Sequence, residues 1–154
     1  MAEATQQTLI LLKPDCVQRR LVGTIIQRFE QKGLRLAAMK LVKVSRDLAE
    51  KHYAVHKGKP FYTGLVSYIT SGPVVAMVLE GKKAISVARN VIGATNPADA
   101  APGTIRGDLA LEIGRNIVHG SDSPASAERE IKIFFNDDEL INNWTPSLHK
   151  WIAE

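Results

Sequence analysis

The apolar residues of the chain fall into short uninterrupted runs and longer stretches with one apolar face. The runs at 8–12 (TLILL) and 73–79 (PVVAMVL) are typical of buried strands, and the second, more apolar run predicts a central strand. A third strand is expected at 34–44. A brief fourth strand is expected at 116–118, before a Gly-Ser-Asp-Ser turn.

Apolar residues at helical spacing predict the helices. They are expected at 21–32, from Ser45 through His52, at 61–70, at 84–92 and from Ser123 onward. Ser45 and Ser123 are suitable N-caps, and Pro124 suits the first helical position. The segment 94–108 is rich in Pro and Gly and is predicted to be a long irregular loop that serves function or a partner.

This order of elements favours the α+β class. The best match is a ferredoxin-like sandwich, in which helices cover a four-stranded antiparallel sheet. With 154 residues and 45% hydrophobic content, the chain suits one domain over 1–154, with 1–7 expected as a flexible tail.

Composition restricts the classes of partner that the chain is expected to bind. The formal charge of +4 is spread along the chain and aromatic residues make up 6%, so anionic ligands are favoured over nucleic acid as the main partner. No apolar run approaches the roughly 18 residues of a membrane span. The polar start MAEATQQ does not resemble a secretory signal, and Cys16 is the single cysteine. A cytoplasmic location without membrane partners is therefore expected.

His119 and Glu130 are the leading candidates for chemistry. His119 lies at the end of the predicted fourth strand, and Gly120 would allow a ligand to approach the backbone. Glu130 falls on the apolar face of the next helix, where an unpaired carboxylate would be unfavourable. A bond from the imidazole would satisfy the acid and fix the ring, leaving the other nitrogen free to attack. Alternatively, His119 is an ordinary satisfied histidine and Glu130 reaches water.

Cations near element ends favour the catalytic interpretation. Lys13 follows a buried strand, Arg89 flanks the apolar face of its helix, and Arg106 lies in the Pro/Gly loop. Phosphoryl transfer needs such positioning and charge neutralisation. Each of these cations could also be a solvated surface charge.

Other site signatures are missing or weak. The sequence has no phosphate-loop, dinucleotide-fingerprint, HExxH or CxxC motif. His52 and His56 have the spacing of two metal ligands but no convincing third ligand, so they are interpreted as two solvent-facing histidines.

Four segments resemble the nucleoside diphosphate kinase family. They are KPDCVQR at 13–19, SGPVVAMVLEG at 71–81, TNPADAAPGTIRGD at 95–108 and NIVHGSDS at 116–123. The similarity covers 8–151 in the family's order. It implies ping-pong transfer of the γ-phosphate, mainly from ATP, to a nucleoside diphosphate through a phosphohistidine at His119.

The resemblance also implies roles for other residues. Nδ1 of His119 would attack while Glu130, assisted by Ser121, holds the ring. The expected ligands of phosphates and ribose are Lys13, Tyr53, Arg89, Thr95, Arg106 and Asn116. Phe61 and Ile113 would enclose the base, with Leu65 lining the same pocket. Mg²⁺ would be carried mainly by the nucleotide phosphates, so no metal site on the protein is expected.

Family members form hexamers or tetramers, and the long loop and the tail WTPSLHKWIAE favour a homohexamer here. Cys16 is a departure, because the family more often has glycine there. Either the turn does not require positive φ, or its geometry and the position of Lys13 have shifted. A thiol reagent is expected to slow turnover by modifying Cys16.

Two other classes of function compete. One is a catalytically inactive nucleotide-binding scaffold, which would not need to retain the charged residues named above. The other is a basic nucleic-acid-binding domain, whose affinity would depend steeply on salt.

Overall fold

A computed structural model describes residues 5–154, and its strands form one antiparallel sheet. The strands are β1 (Thr5–Leu12), β2 (Arg35–Val42), β3 (Val74–Lys82) and β4 (Val118–Gly120). Their order across the sheet is β2-β3-β1-β4. This confirms the predicted four-stranded antiparallel sheet, with the apolar run of β3 on an interior strand.

Seven α-helices are present in the described range. They are α1 (Pro14–Gln18), α2 (Val22–Lys32), α3 (Arg46–His52), α4 (Tyr62–Ile69), α5 (Ala84–Ile92), α6 (Ile105–Leu109) and α7 (Pro124–Phe134). The side chains of Ser45 and Ser123 accept hydrogen bonds from N–H groups of the first turns of α3 and α7, as the sequence predicted. None of the helices within 5–154 has the length and apolar character needed to cross a bilayer.

Strand β1 lacks hydrophobic alternation because both of its faces are buried. Leu9 and Leu11 pack in a core with residues of α3, α4 and α7, whereas Ile10 and Leu12 pack in a second core with residues of α2, α5 and α6. The sheet is therefore covered by helices on both sides.

The expected flexible tail at 1–7 is wrong for its last three residues. Residues 5–7 belong to β1 and pair with 80–82 of β3. Residues 1–4 lie outside the described part of the chain. Gln6 and Gln7 are polar, so the apolar pattern did not extend the predicted strand to them. Their place in β1 depends on pairing with β3 and not on local hydrophobicity.

Two other segments are more regular than expected. The turn after Lys13 is the short helix α1, which begins with Pro14 and carries Asp15 in its first turn, both favourable at a helix start. The predicted irregular loop contains a 3₁₀ turn at Pro97–Asp99, which the side chain of Asn96 caps. The loop then leads into α6, which the side chain of Thr104 caps.

Candidate active site

His119 lies in the middle of β4, opposite Leu11 of β1, and is half-buried between two buried neighbours, Val118 and Gly120. The strand begins two residues later than predicted, so His119 is its middle residue and does not lie at its end. Gly120 also differs from expectation. A Cβ atom there would lie 2.7 Å from the side chain of Ile92, so this glycine lets α5 pack closely on β4.

Glu130 on α7 meets His119, as the helix spacing indicated. Its Oε1 lies 2.8 Å from Nε2 of His119 and accepts a second bond of 2.8 Å from the hydroxyl of Ser121. Glu130 is only 5% exposed. Burial acts to raise its pKa, but the hydrogen bonds from His119 and Ser121 and the His119 charge outweigh burial, so the pKa of Glu130 is lowered.

These bonds define the state of the imidazole. Glu130 is a carboxylate acceptor, so Nε2 of His119 carries the proton. Nδ1 bonds to no residue within 5–154 and is the nitrogen available to attack. Ser121 is fixed in turn, because its N–H donates to the carbonyl of Leu9 at 3.1 Å.

Lys13, Asn116 and Thr95 are joined in one hydrogen-bonded chain. Nζ of Lys13 donates to Oδ1 of Asn116 at 2.8 Å, and the Asn116 amide donates to the carbonyl of Thr95 at 3.1 Å. Burial, followed by the charge of Arg106, lowers the pKa of Lys13 to about 8. The ammonium is thus poorly hydrated and suited to an anionic ligand.

Arg89 and Arg106 donate hydrogen bonds to backbone carbonyls in and around β4. Arg106 is buried and donates to the carbonyls of Asn116, Gly93 and Val118 at 3.2, 3.3 and 2.6 Å. Arg89 donates to the carbonyl of Gly120 at 3.0 Å. Burial and then the charge of Arg89 lower the pKa of Arg106 to about 10, which leaves it cationic at neutral pH. Further N–H groups on each guanidinium remain for a phosphate.

The expectation of a solvent-facing His52 is wrong. His52 is buried, with its ring 4.8 Å from that of His119 and 5.5 Å from that of Phe134 between centroids. It points inward because α3 packs against α7. Burial, then the charge of His119, lowers the pKa of His52 to about 3, so its ring is neutral. His56 is partly exposed instead.

His52 was missed as a neighbour of the site, since spacing along α3 does not reveal which face meets α7. Ligand atoms of His52, His119 and Glu130 lie within 4.8 Å of one another, a grouping that could hold a metal ion. The His119 and Glu130 atoms are already bonded to each other, and this set lacks the several oxygen ligands that Mg²⁺ prefers.

Tyr53 follows α3 and is buried against His52, with 4.6 Å between ring centroids. Burial, then the charge of Glu130, raises the pKa of Tyr53 to about 12, so its hydroxyl is a proton donor at neutral pH.

Two of the three residues expected around the base are exposed. Phe61 and Ile113 expose 51% and 58% of their surface, and Leu65 is partly buried on α4. The Phe61 ring has His56 at 5.3 Å between centroids and Nζ of Lys59 at 5.7 Å. An exposed ring and a separate exposed aliphatic side chain are suitable for stacking on a base.

The first alternative for Cys16, a turn that does not require positive φ, is confirmed, whereas burial argues against the expected reaction with a thiol reagent. Its side chain is fully buried in α1, and its φ is not positive, so the residue fits the turn without strain. Burial and then the charge of Asp15 raise the pKa of the thiol to about 12. A thiol reagent is therefore not expected to modify Cys16 in the folded protein.

Comparison with known proteins decides the family. The model of the nucleoside diphosphate kinase family, described as "Nucleoside diphosphate kinase", matches residues 6–140. This chain belongs to the nucleoside diphosphate kinase family. Its members transfer phosphate groups, so the chain is a phosphotransferase.

Relatives match over nearly their whole length. A nucleoside diphosphate kinase of Archaeoglobus fulgidus is 60% identical over 97% of this chain and 98% of its own. One from Heliobacterium modesticaldum is 61% identical over 97% and 99%. The solved structure of a halophilic nucleoside diphosphate kinase from Halobacterium salinarum, in complex with CDP, superimposes with a TM-score of 0.95 at 48% identity, covering 98% of this chain and 100% of the other.

Proposed function

We propose that His119 is the phosphate carrier in the reaction of this family, the ping-pong transfer of the γ-phosphate from a nucleoside triphosphate to a nucleoside diphosphate. The observation that carries the proposal is the 2.8 Å bond between Nε2 of His119 and Glu130. It leaves Nδ1 as the free nucleophile on a ring that can neither rotate nor change tautomer easily.

In the first half-reaction, the Nδ1 lone pair forms a bond to the γ-phosphorus. The bond from that phosphorus to the bridging oxygen breaks, and the diphosphate leaves with the electron pair. The ring becomes cationic, and Glu130 stabilises this charge from behind through the Nε2–H bond. In the second half-reaction, a terminal phosphate oxygen of another diphosphate forms a bond to the phosphorus, the bond from phosphorus to Nδ1 breaks with its electron pair returning to Nδ1, and neutral His119 is regenerated.

The residues around His119 divide into two proposed groups. Ser121 supports catalysis by holding Glu130, and Lys13 and Tyr53 act next to the reacting phosphate. The proposed phosphate and ribose ligands are Lys13, Arg89, Thr95, Arg106 and Asn116. Their existing hydrogen bonds hold these groups in place before the substrate arrives, which favours rapid transfer.

Phe61, Ile113 and Leu65 are proposed to bind the base. Stacking uses the π-face that every base presents, so we expect purines and pyrimidines to be accepted alike. The CDP bound by the Halobacterium salinarum relative supports a pyrimidine nucleotide as one ligand of this site.

Mg²⁺ is the proposed cofactor, and the nucleotide phosphates would supply most of its ligands. Glu130, an acid beside His119, is already bonded to His119 and Ser121, so it is not free to serve as a ligand of the ion. When bound, the ion would neutralise charge on the transferring phosphate.

We also propose a cytoplasmic homohexamer. Support comes from exposed apolar side chains that a monomer would leave in water: Met39 and Leu41 on the edge strand β2, Leu111 before Ile113, and Trp151 in the tail. Sedimentation equilibrium tests this assembly, with six chains expected; a monomeric mass would contradict it.

The experiment for the carrier is labelling with γ-³²P-ATP. We expect acid-labile, base-stable label that chases onto added GDP and disappears in His119→Ala. His149→Ala, which changes a histidine in the C-terminal tail, is the matched control and should label normally. An inactive scaffold would take up no label, and label retained in His119→Ala would refute the proposal.

A further inference from the structure

Ile117, two residues before His119, has a backbone conformation that its side chain disfavours. Its φ is +73°, a rare value for a β-branched residue, and its side chain is fully buried. The N–H of Val118 donates to the carbonyl of Asn116 at 2.8 Å. Together these features describe a γ-turn of the rare, strained type, so contacts from outside must hold it.

The start of α1 holds this turn at two points. The N–H of Ile117 donates to Oδ2 of Asp15 at 3.1 Å. Its carbonyl accepts from the N–H of Lys13 at 2.8 Å. The turn is therefore tied to the same short segment that carries the Lys13 ammonium.

Tyr68 of α4 fixes Asp15 from the other side. Its hydroxyl donates to Oδ1 of Asp15, so the two carboxylate oxygens have different partners. Burial and this bond raise the pKa of the Tyr68 phenol, which keeps it a donor across the neutral range. The guanidinium of Arg115 covers the ring at 4.6 Å from its centroid.

We infer that Asp15 and Tyr68 are positioning residues for phosphoryl transfer, because they hold the turn that orients Asn116 relative to His119. The Asn116 side chain contacts Lys13 and Thr95, whereas His119 lies beyond the turn on β4. Relaxation of φ at Ile117 would rotate these two site residues relative to each other. The inference rests on the proposed function, since it requires His119 as the carrier.

The first experiment is Tyr68→Phe, which removes one hydroxyl and keeps the ring. We expect the single-turnover rate constant for His119 phosphorylation to fall about tenfold, since small displacements of reacting groups are costly. Tyr62→Phe on the same helix is the matched control, because the Tyr62 hydroxyl bonds to nothing in residues 5–154. A wild-type rate in Tyr68→Phe would overturn the inference.

A second experiment separates positioning from general stability. Glycine adopts positive φ without strain, so in an Ile117→Gly background Tyr68→Phe should cost less than about twofold. Ile117→Ala leaves a similar cavity but keeps the disfavoured conformation, and there the tenfold loss should persist. Equal losses in the two backgrounds would contradict the inference.

If the Ile117 variants do not fold, amide hydrogen exchange gives the same test on Tyr68→Phe alone. The Ile117 N–H should exchange faster than in wild type, while amides in the middle of β1 should not change. Unchanged exchange at Ile117 would overturn the inference. These outcomes differ from failure of the proposed function, which would appear as label persisting in His119→Ala.

Discussion

The pocket around His119 and the surface around Phe61 differ in how completely they are formed without a ligand. Around His119, Glu130 is 5% exposed and each bond of the His119–Glu130–Ser121 chain is 2.8 Å. Phe61, in contrast, is 51% exposed. In the proposed function, the reacting phosphate therefore meets a site that is already formed, whereas the base meets an open surface. We expect strict positioning of the phosphate together with tolerance of different bases.

Glu130→Gln is expected to give the largest loss of activity. The substitution keeps the shape of the pocket but removes the negative charge that contacts Nε2 of His119. We expect kcat to fall about 100-fold with little change in KM, since the carboxylate acts on the charge that develops in the transition state. Glu128→Gln, at an exposed position on the same helix, is the control and should retain wild-type kcat. A loss confined to KM would contradict the proposed role.

Raising the pH should lower activity, because Lys13 in the same pocket loses its positive charge. Its pKa is lowered to about 8, so the ammonium is charged below that pH and neutral above it. We expect kcat/KM to fall as pH rises through 8, reaching about a tenfold loss near pH 9. In Lys13→Arg this alkaline fall should disappear, because a guanidinium stays charged. The same fall in Lys13→Arg would assign it to another group.

Phe61→Ala should affect substrate binding and not the chemical step, because Phe61 lies on the open surface proposed to bind the base. Loss of stacking is expected to raise KM about tenfold for purine and pyrimidine nucleotides alike, with kcat nearly unchanged. Val55→Ala, at another exposed apolar position, is the control. A drop in kcat that exceeds the change in KM would remove the distinction between the two regions.

Features of the fold and of the site that follow from local sequence patterns could be predicted. Glu130 was predictable because a carboxylate on the apolar face of α7 requires a partner, and helix periodicity gives that face directly. The sheet followed from apolar runs and the order of elements. These features depend on local patterns that the final fold does not override.

Features that depend on contacts between distant elements were mispredicted or missed. His52 was assigned to solvent because the packing of α3 on α7 has no local signal. The residue with positive φ is Ile117 and not a Gly or Asn, so no local signal marked the turn and β4 was placed two residues early. Asp15 and Tyr68 are far apart in the sequence, and the role inferred for them depends on that turn.

The role of His119 as the phosphate carrier is tested most sharply by determining which nitrogen of its ring is phosphorylated. Phosphoenzyme made with ¹⁵N-histidine should show ³¹P–¹⁵N coupling to Nδ1 of His119, because Nε2 is held by Glu130. Coupling to Nε2, or phosphate on any other residue, would show that Nδ1 of His119 is not the nucleophile.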